Sequence, residues 1–148
     1  MATRILCAID FSAPAREAMR VAADLARDKG AALDLVHVED RPLWTSEPFV
    51  HLPGDIRQDV LEAARRELEE WRHEAEQRAG GRVNASVASG VPWNVIVALA
   101  NADPSIETIV MGTHGRSGIS HVLLGSVAER VVRHAPCSVL VVRPRRER

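Results

Sequence analysis

Short apolar runs and amphipathic helical stretches alternate along the chain, and this alternation limits the folds available to it. The runs at residues 5–9, 33–38, 108–111 and 139–142 have the length of buried strands, and Val83, Ala85 and Val87 alternate with their neighbours as in an outer strand. Apolar residues recur at helical spacing in four stretches, which are residues 15–26, 56–75, 96–100 and 126–134. Right-handed crossovers leave few other layouts for such a chain. The pattern therefore predicts an α/β fold, with a doubly wound five-stranded parallel sheet, helices on both faces and a Rossmann-like arrangement.

Cap and turn residues mark the ends of these elements. Ser12 and Pro14 indicate the start of the first helix, and Gly30 indicates its end. Gly80 follows the second helix in the same way. Residues 39–55 hold three prolines and show no sustained period, so they are predicted to form a long surface loop.

The size and composition of the chain are those of one ordinary globular domain. Of its 148 residues, 46% are hydrophobic and 26% are charged, which excludes a fibre or a disordered chain and predicts a single domain over residues 1–148. The formal net charge of −1 gives no global field that would attract nucleic acid or an anionic membrane. No apolar stretch approaches the roughly 20 residues needed to span a bilayer. Cys7 and Cys137 lie far apart in apolar runs, which favours buried thiols in a reducing compartment.

A glycine-rich segment, MGTHGRSGISHVLLGSVAERV at residues 111–131, is the most distinctive part of the chain. It follows the fourth predicted strand, and ligands of such sheets lie beyond the carboxyl ends of the strands. Gly112, Gly115 and Gly118 allow close approach of the backbone to a ligand. Gly125 and Ser126 open the last helix, whose N-terminal amides favour an anion. A purely structural interpretation stays open, in which the glycines only turn a loop and Ser126 with Glu129 forms an S-x-x-E capping box.

Several familiar chemistries lack their motifs in this sequence. The first strand-to-helix turn reads AIDFSAP, without the glycines of the dinucleotide-oxidoreductase fingerprint, and no GxxxxGK[ST] phosphate loop is present. No GxSxG elbow surrounds a serine, and the histidines form no pair at metal-ligand spacing on a helix. The sequence shows neither a positioned general base nor an evident pair of carboxylates for Mg²⁺. No catalytic residue and no metal ligand is therefore assigned.

The spacing of glycines and hydroxyl residues is similar to that of a known family. Gly112 and Gly115 form a GxxG pattern that is followed, nine residues later, by Gly125 and Ser126. With ILCAIDFSAPAREAM at the start, LDLVHVED in the second strand and TIVMGTHGRSGISHVLLGSVAERVVRHAPCSVLVVRP near the end, the chain resembles the universal stress proteins over nearly its whole length. The resemblance implies a doubly wound domain that binds ATP or a related adenine nucleotide, with or without Mg²⁺. It also implies a homodimer with a cytoplasmic role in the stress response.

The site implied by the resemblance combines strand ends with the glycine-rich segment. Asp10 would meet the ribose or adenine side of the nucleotide, the backbone of Val38 would contact adenine, and Ala8 stands where members of the family can carry proline beside the base. The ribose and phosphates would be wrapped by Gly112, Thr113, His114, Gly115, Arg116, Ser117 and Gly118. The amides of Gly125, Ser126 and Val127, with the Ser126 hydroxyl, would hold the terminal phosphates.

Two residues depart from the family's pattern, and three functions stay open. Ser138 stands where the family often has proline, and Glu107 stands where aspartate is usual. The first hypothesis is a nucleotide-dependent homodimeric switch that dimerises through the C-terminal strand and acts on a protein partner. The second is a slow ATPase or nucleotidyl-transferring enzyme that uses Asp10 and a metal ion. The third is a dimeric partner-binding protein that takes no nucleotide.

Overall fold

A computed structural model of the chain describes residues 2–40, 54–113 and 124–145. These residues form a five-stranded sheet in the order β3-β2-β1-β4-β5, and each pair of neighbouring strands is parallel. The elements along the chain are β1 Arg4–Ile9, α1 Ala13–Lys29, β2 Ala32–Asp40, α2 Gly54–Ala79, β3 Val83–Gly90, α3 Pro92–Ala102, β4 Ile106–Gly112, α4 Ser126–His134 and β5 Ser138–Val142. The predicted α/β fold with a five-stranded parallel sheet is confirmed. None of the described helices has the length and apolar character needed to cross a membrane.

The sheet is covered on both faces because side chains of successive strand residues point to opposite sides. Ile5, Cys7 and Ile9 of β1 belong to a buried cluster with residues of α1 and α2. Leu6, between them, belongs to a second cluster with residues of α3 and α4. The prediction of a strand buried on both faces is thus confirmed for β1.

The ends of α1 follow the sequence signals, whereas the start of α4 does not. The Ser12 hydroxyl caps α1 by accepting from the Ala15 amide at 3.2 Å, and Gly30 ends this helix in the left-handed conformation with a φ of 62°. The N-cap of α4 is Gly125, and no side chain caps that end. The capping-box interpretation of Ser126 is therefore wrong, because Ser126 is already the first helical residue.

The boundaries of the predicted loop at residues 39–55 also change. Glu39 and Asp40 belong to β2, where they pair with Ser89 and Gly90 of β3, and α2 begins at Gly54. This pairing with another strand keeps the backbone extended through two charged residues that the local sequence pattern assigned to a loop. Residues 41–53 of the predicted loop lie outside the described residues.

A polar network ties three strands together near their amino-terminal ends. The Arg4 guanidinium on β1 donates to both carboxylate oxygens of Asp34 on β2, at 2.8 and 2.6 Å. The Asn84 amide group on β3 donates to the same Asp34 carboxylate at 2.9 Å. The Asp34 carboxylate thus accepts hydrogen bonds from the neighbouring strand on each side, and the network fixes how the three strands align.

Candidate functional site

A cleft of about 800 Å³ opens at the carboxyl ends of β1, β2 and β4. The chain passes from β1 to β2 on one side and returns to β4 on the other side of β1, so the strand order reverses between β1 and β4. Crevices at such a switch point are where ligands bind in open α/β sheets. The volume lies within the range of sites for small molecules and cofactors.

Eight of the thirteen predicted site residues line this cleft. They are Ala8, Asp10, Val38, Gly112, Thr113, Gly125, Ser126 and Val127. Three strand ends and the start of α4 therefore meet at one place, and a parallel sheet brings such strand ends to the same edge. The other five predicted residues, His114, Gly115, Arg116, Ser117 and Gly118, lie outside the described residues.

The Asp10 carboxylate is held in a defined orientation at the end of β1. It accepts hydrogen bonds from the Ser12 amide at 3.0 Å and from the Ser12 hydroxyl. Because the same hydroxyl caps α1, Asp10 is connected to the start of that helix through Ser12. Asp10 therefore takes part in the strand-to-helix turn and also lines the cleft.

Thr113 joins three elements at the floor of the cleft. Its amide donates to the Val142 carbonyl of β5 at 3.1 Å, and its carbonyl accepts from the Gly125 amide at 2.6 Å. The second bond holds the start of α4 beside the end of β4. Thr113 is 4% exposed, so this connection lies in the buried part of the fold.

The α4 N-terminus lies at the cleft. Its first residues, Ser126, Val127 and Ala128, line the cleft directly after Gly125. The amides of a first helical turn have no partners within the helix, and the macrodipole gives this end partial positive charge. A phosphate or another anion is the ligand that such an end favours.

The charged side chains described along the cleft are all acidic. They are Asp10, Glu39, Asp40 and Glu67. An anion in this part of the cleft would therefore be bound by backbone amides and hydroxyl groups. Among residues 2–40, 54–113 and 124–145, no group of three or more His, Cys, Asp or Glu side chains is arranged to hold a metal ion.

One side of the cleft was not predicted from the sequence. Its wall includes Phe11 and His37, with Val60 and Glu67 from α2. Phe11 has a φ of 62°, which is unusual for a residue other than glycine. Its ring lies 4.5 Å from the His37 ring and 5.5 Å from the Trp71 ring, measured between centroids. The one available signal was His37, a polar residue at an inward-facing position of an apolar strand.

The Trp71 side of this cluster is reinforced from α1. The Arg16 guanidinium lies 4.4 Å from the centre of the Trp71 ring and also donates to Glu74 at 2.6 Å. A cation above an indole face is attracted by the ring quadrupole. These contacts hold the aromatic cluster between α1 and α2.

Together, the fold and the cleft define a class of protein: a doubly wound α/β domain with a cleft at its topological switch point. The universal stress protein family matches residues 1–143, so the chain belongs to that family. The predicted resemblance is confirmed.

Named relatives agree with this assignment. The chain is 35% identical to Universal stress protein MJ0531 of Methanocaldococcus jannaschii, in a match that covers 97% of this chain and 84% of the relative. The solved structure of MJ0577 from the same organism is 29% identical, with a TM-score of 0.83 and 99% of each chain covered. A universal stress protein from Archaeoglobus fulgidus, solved in complex with dAMP, has a TM-score of 0.66 over 96% of this chain and 98% of its own. At 24% identity, that third structure shows likeness of fold alone.

Proposed function

We propose that this protein binds an adenine nucleotide, with ATP as the first candidate, in the cleft at the switch point. In this proposal it acts as a nucleotide-dependent homodimeric regulator of the stress response in the cytoplasm. The observation that carries the proposal is the meeting of Asp10, Val38, Gly112 and the start of α4 around one cleft. These are residues to which the family resemblance assigns the base, the ribose and the phosphates.

The described residues fit the parts of a nucleotide. Ala8 and Val38 pack against the cluster on the α3 and α4 side of the sheet, and Ile96 and Met111 add apolar wall there. An adenine ring is flat and largely apolar on its faces, so such a wall suits it, while strand backbone at Val38 offers groups for its polar edge. The α4 N-terminus offers amides for the phosphates. Asp10 offers an acceptor for ribose hydroxyl groups.

A protein of the same family and similar fold was solved with an adenine nucleotide. The Archaeoglobus fulgidus protein was solved with dAMP, an adenine nucleotide with one phosphate. A triphosphate adds negative charge, and the described charged residues of the cleft are acidic. We therefore propose that ATP binds together with Mg²⁺, because the cation offsets part of that charge.

Calorimetric titration of the purified protein with ATP and Mg²⁺ tests the proposal. We expect saturable binding, and we expect Ser126→Ala to weaken it about tenfold, because a hydrogen bond to a charged group contributes about 1.5–3 kcal/mol. Ser138→Ala is the matched control, because Ser138 is an exposed serine at the start of β5, at the other end of the strand from the cleft. Absence of binding by the folded protein would overturn the proposal, and equal losses in both variants would remove Ser126 from the site.

A steady-state hydrolysis assay distinguishes the regulator from an enzyme. We expect at most slow ATP hydrolysis by the wild-type protein. Sustained turnover that disappears in Asp10→Asn, with nucleotide binding retained, would favour an ATPase or a nucleotidyl-transferring enzyme instead.

We further propose that the homodimer forms through β5. This strand lies at one edge of the sheet, and Leu140 on it is 39% exposed. An exposed apolar edge strand is prone to pair with another chain. Light scattering after size exclusion should give twice the chain mass for the wild type and a monomer for Leu140→Glu. Leu99→Glu on α3 is the control, since Leu99 is similarly exposed at 37%, and a dimer retained by both variants would exclude this interface.

A further inference from the structure

His37 connects the ends of β1 and β2 through both nitrogen atoms of its ring. Its Nδ1 lies 2.7 Å from the carbonyl oxygen of Ile9, and its Nε2 lies 2.9 Å from Oε1 of Glu39. His37 is 8% exposed and its contact with Ile9 is buried, whereas the Glu39 side chain is 29% exposed. Ile9 is also the residue that pairs with His37 across the two strands.

The two contacts determine where hydrogen atoms must lie. A carbonyl oxygen only accepts, so Nδ1 of His37 carries a hydrogen and donates it to Ile9. An ionised Glu39 also only accepts, so Nε2 then carries a second hydrogen and the ring is an imidazolium. A neutral His37 with a protonated Glu39 satisfies the same geometry. In both cases one proton lies between Nε2 and Glu39. After a proton is lost, a neutral ring facing an ionised Glu39 has one hydrogen for two acceptor oxygens, so the lone pair of the other ring nitrogen faces Ile9 or Glu39.

These contacts lie next to the backbone that the proposed function assigns to the nucleotide. Ile9 directly precedes Asp10, and Glu39 directly follows Val38. The His37 ring also packs against Phe11, the residue after Asp10, at 4.5 Å between centroids. A change in the position of His37 would therefore move both strand ends that form the base and ribose side of the cleft.

The other charged groups of the cleft and of the aromatic cluster come from β1, β2, α1 and α2. They are Asp10 at the end of β1, Asp40 on β2, Glu67 on α2, and Arg16 on α1, which lies over Trp71 and is paired with Glu74. The Val87 position of β3, which pairs with His37, adds no charge. Glu39 is thus the acidic group that contacts the ring directly, at hydrogen-bond distance.

We propose that His37 is a positioning residue of the nucleotide site and that it requires the proton it shares with Glu39. With that proton present, His37 holds the ends of β1 and β2 in the arrangement that binds the nucleotide. Without it, one of the two contacts of the ring, to Ile9 or to Glu39, becomes repulsive and binding weakens. The inference rests on the proposed function, and it makes nucleotide binding and proton binding mutually reinforcing.

ATP affinity measured from about pH 5.5 to about pH 8.5 in the wild type and in Glu39→Gln tests this inference. A glutamine amide can donate to the Nε2 lone pair of a neutral His37, so this variant keeps the contact without the shared proton. We expect wild-type affinity to fall, relative to that of Glu39→Gln, by about fivefold or more as the pH rises. The ratio of the two affinities removes the titration of ATP itself, which is common to both proteins. His37→Asn retains a donor near Ile9 but is too short to reach Glu39, so it should bind weakly at every pH.

A second measurement needs no nucleotide. Nitrogen NMR of labelled histidine, with the His37 signals assigned by their loss in His37→Asn, should show whether each ring nitrogen of the wild type bears a hydrogen at the pH where ATP binds more tightly and at the pH where it binds less tightly. The inference requires that the two states differ. Binding with a constant affinity ratio, or His37 ring nitrogens that are the same in both states of the wild type, would overturn the inference alone. Absence of ATP binding in both proteins would instead contradict the proposed function, and the role of His37 in it would fall too.

Discussion

Gly112, the last residue of β4, lies against Pro14 so closely that a Cβ built on Gly112 would be 2.9 Å from the Pro14 carbonyl carbon. It would lie equally close to the Cβ of Pro14. Both atoms belong to a rigid first turn of α1, so neither can move aside as the end of a flexible side chain would. The close approach of β4 to α1 at the cleft therefore requires glycine.

Gly112→Ala should destabilise the protein by about 1–3 kcal/mol, the usual cost of forcing an extra methyl group into a packed site. Urea unfolding measures the difference. Gly81→Ala is the control, because nothing lies within 4 Å of a Cβ built there. It should change the free energy of unfolding by less than about 0.5 kcal/mol. Similar losses for the two variants would contradict the close contact with Pro14.

The positive φ of Phe11 makes a prediction about two small replacements. Phe11→Ala and Phe11→Gly both lose the ring contacts with His37 and Trp71, so both should be less stable than the wild type. At a φ of 62° alanine keeps the left-handed strain and glycine does not, so the glycine variant should be the more stable of the two by about 1 kcal/mol.

The same two replacements at Glu70 in α2 are the control for Phe11, and their stabilities should have the opposite order. In an exposed helical position, Glu70→Gly should be less stable than Glu70→Ala by about 1 kcal/mol. Thermal or urea unfolding of the four variants gives both differences. The same order at both positions would mean that Phe11 is not in the left-handed region.

Asp24 is expected to make stability depend on pH in the acidic range. The hydrogen bonds from Arg78, at 2.8 and 3.0 Å, and the positive charges of Arg78 and Arg27 hold the pKa of Asp24 below its usual value. The ionised form is thus favoured in the folded state, so its contribution is present near neutral pH and is lost as pH falls through the folded-state pKa. Because the pair is partly exposed to solvent, the contribution should be below about 1 kcal/mol.

Urea unfolding of the wild type and Asp24→Asn between about pH 7 and about pH 3 checks this expectation. The wild type should be the more stable at neutral pH, and the difference should shrink at the acidic end. Asp28→Asn is the comparison, because Asp28 pairs with its exposed neighbour Arg27 and not with the second helix. A difference that grows on acidification would contradict the sign of the shift.

The two thiols should differ in their reaction with a disulfide reagent. Burial raises the pKa of the Cys7 thiol well above its usual range, and Cys7 is fully buried. Burial also raises the pKa of Cys137, although a hydrogen bond with the Ile109 backbone opposes this, and Cys137 is only half-buried. Since the thiolate is the reactive form, both rates should rise with pH, and Cys7 should react about a thousandfold or more slowly because it needs unfolding. Cys7→Ser and Cys137→Ser assign the two phases, and a rapid Cys7 would contradict its burial.

The order of the elements could be predicted because it depends on patterns within single segments. The apolar run of β1 predicted a strand buried on both faces, and Ser12 and Gly30 marked the ends of α1. The extension of β2 through Asp40 could not be predicted in this way, since it depends on pairing with Gly90 of a different strand. Local sequence carries no information about such a partner.

The candidate site, too, was predicted only in part from the sequence. Asp10 and Val38 were implied by the family resemblance, and Gly112 was predicted from its place at the carboxyl end of the fourth strand. The contribution of α2 could not be predicted, because the rotation of a helix against the sheet depends on which of its residues pack on other elements. The contact of His37 with Phe11 likewise joins residues from two strand ends whose side-chain geometry only the folded structure shows.

The sheet must keep its strands aligned and must also present a cleft, and the network of Arg4, Asp34 and Asn84 serves only the first of these requirements. These residues join three strands near their amino-terminal ends, whereas the cleft opens at the carboxyl ends. Alignment of the strands is therefore secured at a place that no ligand needs to touch. Over evolution, residues at the cleft can be exchanged, and a different small molecule accepted, while the strands keep their register. A family built on this plan can change the residues of its cleft while it keeps its fold.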